Sequence, residues 1–422
     1  MYQTLEILPG VMLRCIHAER FKQGCLTLQF LRPMRSEEAG LNALIPAILL
    51  RGCREYPDLK RITERLDDLY GASIGTLVRR VGDYQTTGFY CGFIEDRFAM
   101  DGDEILAPMV ALAGQLLLEP LTEVGGFNRD FTESEKRNLI SAIESDRSNK
   151  AAYAATKLLK LMCKADSFGV GRLGEIPAIQ AIDHISAWEH YQKVLAESPV
   201  EIFYVGSADA GTVADLLRPV FERIRRSLLL LPPQSGYQFT PGKCESEVQQ
   251  VAQAHLSMGF VTPITNRDPR FAAMQVCNNL FGSGQTSKLF MQVREKMSLC
   301  YAIGSGYYGS KGIMTVNAGI DTSRERAATQ AIFAQLDACR AGDFTESELQ
   351  AAKESILSGL RAVYDSPGAM EAFFSTAAIS GLNRTPERYA QQIRAVTAKD
   401  VAEAAGTLAH HSTFFLKGAD HE

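Results

Sequence analysis

One pattern is written twice in this sequence, and that duplication limits the fold more than any other feature. Residues 30–52, FLRPMRSEEAGLNALIPAILLRG, align without a gap with residues 260–282, FVTPITNRDPRFAAMQVCNNLFG. Phe30/Phe260, Pro33/Pro263, Ala43/Ala273, Leu50/Leu280 and Gly52/Gly282 share a single offset of 230. FTESE occurs at 131–135 and again at 344–348, IQAID (179–183) answers IRAVT (393–397), and IFYVGSAD (202–209) answers TFFLKGAD (413–420). A repeat of roughly 210–230 residues is far longer than a solenoid unit and has the size of a whole domain. Two homologous tandem domains are expected, over residues 1–227 and 248–422, with an extended linker over 228–247. That linker, LLLLPPQSGYQFTPGKCESE, carries three prolines and two glycines.

Local patterns place strands and helices inside each copy. CLTLQFLRP (25–33) and AHLSMGFVTP (254–263) read as strands. Each precedes a polar turn and a compact apolar helix ending near Gly52 or Gly282. TTGFYCGFIED (86–96) and GIMTVNAGIDT (312–322) supply a second strand in each half. Both FTESE copies read as helix starts, with Thr132 or Thr345 as N-cap and Glu135 or Glu348 closing a capping box. Each domain is expected to be α+β, a largely antiparallel sheet packed with helices.

Composition removes several function classes. With 422 residues and 46% hydrophobic content, two ordinary cores can be buried. A net charge of −5 gives no general attraction for nucleic acid or anionic lipid. Apolar runs such as LNALIPAILL reach about ten residues, half of a membrane span. The N-terminus lacks the basic and apolar succession of a signal peptide, and the nine cysteines are scattered without a Cys-x-x-Cys pair. A protein with reduced thiols, cytoplasmic and off the membrane, is expected.

Most catalytic patterns are missing. A helical zinc site needs two histidines about one turn apart, and no two of His17, His184, His190, His255, His410, His411 and His421 are three or four residues apart. His184 and His190 read as surface residues of an acidic helix, and His410 and His411 as neighbours facing opposite sides of a strand. Gly169-Val-Gly171-Arg-Leu-Gly174 follows a helix where a dinucleotide fingerprint needs a strand, so it reads as a loop. GSGQTSK (282–288) lacks P-loop spacing.

One stretch is specific. SGQTSKLFMQVREKMSLCYAIGSGY (283–307) resembles the second-domain signature of the insulinase/pitrilysin-type zinc metallopeptidases, the processing-peptidase-like group with an inverted zinc motif. The matching positions are Ser287, Leu289, Phe290, Arg294, Glu295, Lys296, Leu299 and Tyr301. Such enzymes are tandems of two homologous α+β domains, so the resemblance spans nearly the whole chain. It implies a clamshell fold, and an inverted motif His-x-x-Glu-His on the helix after the first strand.

Anchored at Arg51-Gly52, that motif falls on Ala43, Leu44, Ile45, Pro46 and Ala47. Both histidines are replaced by alanine and the catalytic glutamate by proline. The third ligand, keyed to Glu135, falls on Ala142, with Glu144 nearby. No catalytic residue and no metal ligand is therefore expected here, and zinc only in a partner. The resemblance assigns Arg294 and Tyr301 to substrate binding, where they would steady a peptide carbonyl. It further implies a bacterial non-catalytic subunit that pairs with a zinc-bearing homologue around an extended peptide. The strand near residues 71–80 corresponds to the family's substrate-pairing strand. The alternatives are a non-proteolytic assembly protein and a peptide-binding homodimer.

Overall fold

The protein's structure, a computed structural model, describes residues 2–238 and 240–418. His421 and the last two residues of the repeated TFFLKGAD lie outside the described residues. Two sheets share one plan. The first contains β1 (Gln3–Leu8), β2 (Val11–His17), β3 (Gln23–Pro33), β4 (Ser73–Val81), β5 (Tyr84–Ile94) and, beyond a two-residue hairpin of β6 (Thr122–Glu123) and β7 (Gly126–Phe127), β8 (Val200–Gly206). The second contains β9 (Cys244–Gln249), β10 (Ala254–Val261), β11 (Ala302–Tyr308), β12 (Ile313–Ile320) and β13 (Ala409–Gly418).

Their strand orders are β1-β2-β8-β3-β5-β4 and β11-β12-β10-β13-β9. Without β1, the first order reversed is the second, strand for strand. Each sheet has one parallel pair, β2 with β8 and β9 with β13. The other pairs are antiparallel. The register repeats as well. Thr27 stands opposite Tyr90 and Tyr90 opposite Gly75, while Ser257 stands opposite Asn317 and Asn317 opposite Gly304. The duplicated α+β architecture expected from sequence is what the chain adopts.

The compact units follow a subtler division than the repeat. One unit comprises Met1–Ile143, Val170–Gln234 and Val363–Asn383; the other comprises Glu144–Gly169, Ser235–Ala362 and Arg384–Glu422. Each unit thus includes a helix written in the other half of the sequence. In the first unit the helix Pro367–Ile379 covers a sheet face, packing Met370 and Phe374 against Ile16, Cys25, Phe203 and Val205. In the second, the helix Lys150–Met162 sets Ala154, Leu158 and Met162 against Val261, Ile313, Phe414 and Leu416. Both helices start alike. Ser366 Oγ accepts from the Ala369 amide and Asn149 Oδ1 from the Ala152 amide, each at 3.1 Å.

This covering explains why β3 is buried along nearly its whole length. Leu26, Leu28 and Phe30 belong to the main core, which also holds Leu44, Ile45 and Ile48 of the helix Ser36–Leu49. Thr27 and Gln29, on the opposite face, are sealed beneath the helix Pro367–Ile379. The expected linker changes character before its end, because Cys244 already opens strand β9.

The two FTESE copies diverge. Thr345 and Glu348 form the expected box: Glu348 Oε2 accepts from the Thr345 amide at 2.7 Å, and Thr345 Oγ1 accepts from the Glu348 amide at 3.2 Å. In the first copy the helix Arg129–Ser148 begins about a turn earlier, capped by Asn128, whose Oδ1 accepts from the Phe131 amide at 3.0 Å. Thr132 then lies inside the helix, with its hydroxyl on the Asn128 carbonyl. An Asn at the right distance outcompetes the Thr as cap.

Candidate functional site

The positions on which the inverted motif falls by resemblance lie on the helix Ser36–Leu49. Ala43 and Pro46 are buried there and Ala47 is half-buried. Pro46 has no N–H, so the Asn42 carbonyl one turn back loses its helical donor. Thr87 on β5 replaces it, its hydroxyl donating to the Asn42 oxygen at 2.5 Å. The Asn42 side chain is likewise committed, with Nδ2 donating to Gln85 Oε1 at 2.9 Å and Oδ1 lying 2.8 Å from His190 Nε2.

His190 is not the surface residue expected. It is buried, because its helix, His184–Glu197, turns that side toward Asn42. Burial pushes its pKa down to about 4, with Glu38 opposing and Arg32 reinforcing the shift. The ring is therefore neutral at pH 7 and donates from Nε2 to the Asn42 oxygen. Nearby, Arg32 donates to Glu38 at 2.9 Å and to Glu197 at 3.0 Å.

The third-ligand register, carried over by resemblance, falls on the helix Arg129–Ser148. Glu135, the key residue for the register, accepts from Arg51 at 3.3 Å and from Asn138 at 3.1 Å. The Arg51 guanidinium also lies 5.3 Å from the Phe131 ring. Ala142 is exposed and so is Glu144. Among the described residues no three His, Cys, Asp or Glu side chains gather closely enough to hold a metal ion. The residues aligned with the motif do not fit a zinc ion: alanine and proline side chains carry no donor atom, and the Glu135 carboxylate is held by Arg51.

The arginine and tyrosine singled out in the second repeat lie at two ends of one connection. Arg294 lies on a π-helical stretch, Leu289–Lys296, and Tyr301 just before β11. The side chain of Arg294 is 39% exposed, stacks over Phe290 at 4.6 Å and lies 3.6 Å from Glu295. Tyr301 is 63% exposed, and its hydroxyl donates to Asp321 at 3.3 Å. Burial pushes the Cys300 thiol up to about 11, while the nearby Arg294 charge opposes that shift. Ser298, between them, holds φ at 50°, a left-handed conformation costly for a residue with a Cβ. Widened helices and such strained residues concentrate at functional sites.

Comparison with known proteins meets this geometry. Residues 183–356 match the family model described as the peptidase M16 inactive domain. The probable inactive metalloprotease YmfF of Bacillus subtilis is 28% identical over 411 residues, spanning 97% of this chain and 96% of its own. The chain is similar to M16 peptidases along nearly its whole length, and residues 183–356 carry the match to the inactive domain. A conserved protein from Enterococcus faecalis V583, 26% identical, superposes with a TM-score of 0.91 over 100% of this chain and 99% of its own. An M16 inactive-domain structure from Pseudomonas fluorescens, 18% identical, shares the fold at a TM-score of 0.82 over 100% of this chain and 99% of its own.

Ala43, Pro46 and Ala47 lie on the helix that follows β3, as the sequence pattern predicted. The strand near 71–80 is β4, which has a neighbour on one side only. The reasoning missed the buried polar set of Asn42, Gln85 and His190. The signal available was Pro46, which requires that some outside donor reach the helix.

Proposed function

We propose that this chain is the non-catalytic subunit of a two-subunit M16-type zinc metallopeptidase, cytoplasmic and bacterial, and not a peptidase on its own. The observation that carries this reading is the asymmetry between its two repeats. Where zinc would be gripped, the first offers Ala43, Pro46, Ala47 and Ala142, and Arg51 occupies Glu135. The second keeps Arg294 and Tyr301, both accessible beside a strained Ser298. An exposed guanidinium and a phenol can donate to a peptide carbonyl while a homologous subunit supplies the metal. The edge strand β4 offers unpaired backbone groups to an extended peptide by strand addition.

Co-purification with a zinc-bearing homologue, followed by metal analysis of each subunit, tests the pairing. Zinc is expected in the companion alone. Arg294→Ala should then lower peptide turnover by about tenfold or more while the complex stays assembled. Stoichiometric zinc and peptide cleavage in the isolated chain would overturn the proposal. One observation favours a second reading, a non-proteolytic structural or peptide-binding homodimer. Arg294 and Tyr301 already engage Glu295 and Asp321. Under that reading the chain associates with itself, and Arg294→Ala leaves any companion's activity unchanged.

A further inference from the structure

In the second unit, the sheet face beneath the helix Lys150–Met162 is filled at one end and hollow at the other. Met162 fills one end, its sulfur so close to β10 that a Cβ on Gly259 would collide with it. At the other end lies a cavity of about 500 Å³, whose lining includes Ala151, His255, Ser257, Gly304, Gly306 and Asn317.

The duplicated fold supplies a control. The shared register puts Tyr90 of the first sheet where Asn317 stands in the second, and Leu77 where Gly306 stands. Aligning the helix caps Ser366 and Asn149 puts Glu371 in the place of Ala154. In the first unit the equivalent space is occupied, because the Tyr90 side chain reaches the covering helix at Gly368, the counterpart of Ala151, and the Glu371 carboxylate accepts from Thr27 and Arg79 beside it. In the second, small residues keep it open.

Two glycines there are unexplained by the fold. Neither Gly304 nor Gly306 has positive φ. A Cβ on them would meet nothing nearer than 3.6 and 3.7 Å respectively. Glycine inside a strand weakens a sheet and marks close approach by another group. Part of the polar lining has no protein partner. Ser257 donates to Asn317 Oδ1 at 2.7 Å. That leaves the Asn317 Nδ2 donors and the His255 ring without a hydrogen-bond partner among the described residues. Burial lowers the His255 pKa, so the ring is neutral at pH 7. No Lys, Arg, Asp or Glu lines the space.

We propose that this hollow binds an uncharged carboxamide, with Asn317 Nδ2 donating to its carbonyl oxygen and a His255 ring nitrogen accepting from its N–H. Such a group is a glutamine or asparagine side chain or a peptide bond. The glycine wall admits a flat group, and the absence of a counter-charge disfavours a carboxylate or an ammonium. The inference rests on the second unit alone and holds whether or not a zinc-bearing companion exists.

The test titrates the full chain, with its histidines carrying 13C at Cε1, with three probes: N-acetylglutamine N-methylamide, N-acetylglutamate N-methylamide and N-acetylglycine N-methylamide. Saturable movement of the His255 signal with the glutamine probe is expected, with the glutamate probe at least about tenfold weaker. If the glycine probe matches glutamine, the peptide bond is the source recognised; if it does not, the side chain is. Gly306→Leu, which copies the residue of the first sheet, should abolish the movement without lowering the melting temperature. Asn317→Asp, which removes the donor and keeps the shape, should abolish it too. No saturable movement with any probe, glutamate binding as tightly as glutamine while the glycine probe does not bind, or unchanged binding in both variants would overturn the proposal.

Discussion

At the scale of single residues, a proline inside a helix and a histidine inside a core are both explained by one carbonyl and one amide. Pro46 strips a donor from Asn42, and Thr87 restores it from β5. Thr87→Val should therefore cost about 1–3 kcal/mol in urea unfolding, because a buried carbonyl is left unpaired. Adding Pro46→Ala should recover most of that loss by returning the helical N–H, a coupling a double-mutant cycle reads directly. His190 carries a pH dependence whose sign follows from its environment. Its pKa of about 4 in the folded chain lies below the ordinary 6.5, so the unfolded chain binds the proton more readily. Stability should then be full above pH 6.5 and fall by up to about 3 kcal/mol as pH drops toward 4. His190→Gln keeps a donor for Asn42 and should flatten that slope. A slope unchanged by the substitution would assign it to other groups.

At the scale of elements, the covering helix of the first unit is held by a charge as well as by its apolar side chains. Glu371 is fully buried and meets Arg79 of the edge strand β4 at 2.8 Å, with Thr27 and Gln29 completing its shell. One buried carboxylate thus fastens helix, central strand and edge strand together. Removing it with Glu371→Ala strands Arg79 and the polar pair on β3, and should destabilise the protein by about 3–5 kcal/mol. Replacing Glu371, Thr27 and Gln29 together with apolar residues of similar volume should cost much less, since only Arg79, which reaches solvent, then loses its partner. If the single and triple variants unfold at the same urea concentration, the carboxylate is not the fastening. The second unit has its own buried pair, Lys311 with Asp166 at 2.9 Å, both almost wholly inaccessible.

At the scale of the whole molecule, the duplication was legible at once and its consequence was not. Periodicity and the offset of 230 located β3, β5, β10 and β12 and made both sheets antiparallel-rich. Yet a fragment of residues 1–227 lacks the helix Pro367–Ile379 that covers Cys25, Phe203 and Val205. It should aggregate or bind hydrophobic dye, and appending residues 363–383 through a flexible linker should restore cooperative unfolding. Cooperative folding of the bare fragment would refute the need for the exchanged helix. What the sequence determined alone is chemical identity. Ala43, Pro46 and Ala47 carry no metal donor in any conformation, and the repeated strand patterns report side chains that alternate within a few residues. What tertiary structure decided is which distant groups meet. Thr27 and Glu371 are separated by 344 residues, and no local period encodes such a partner. The hollow beside Asn317 and the filled space beside Tyr90 differ for the same reason, because each depends on a helix contributed by the other half of the chain.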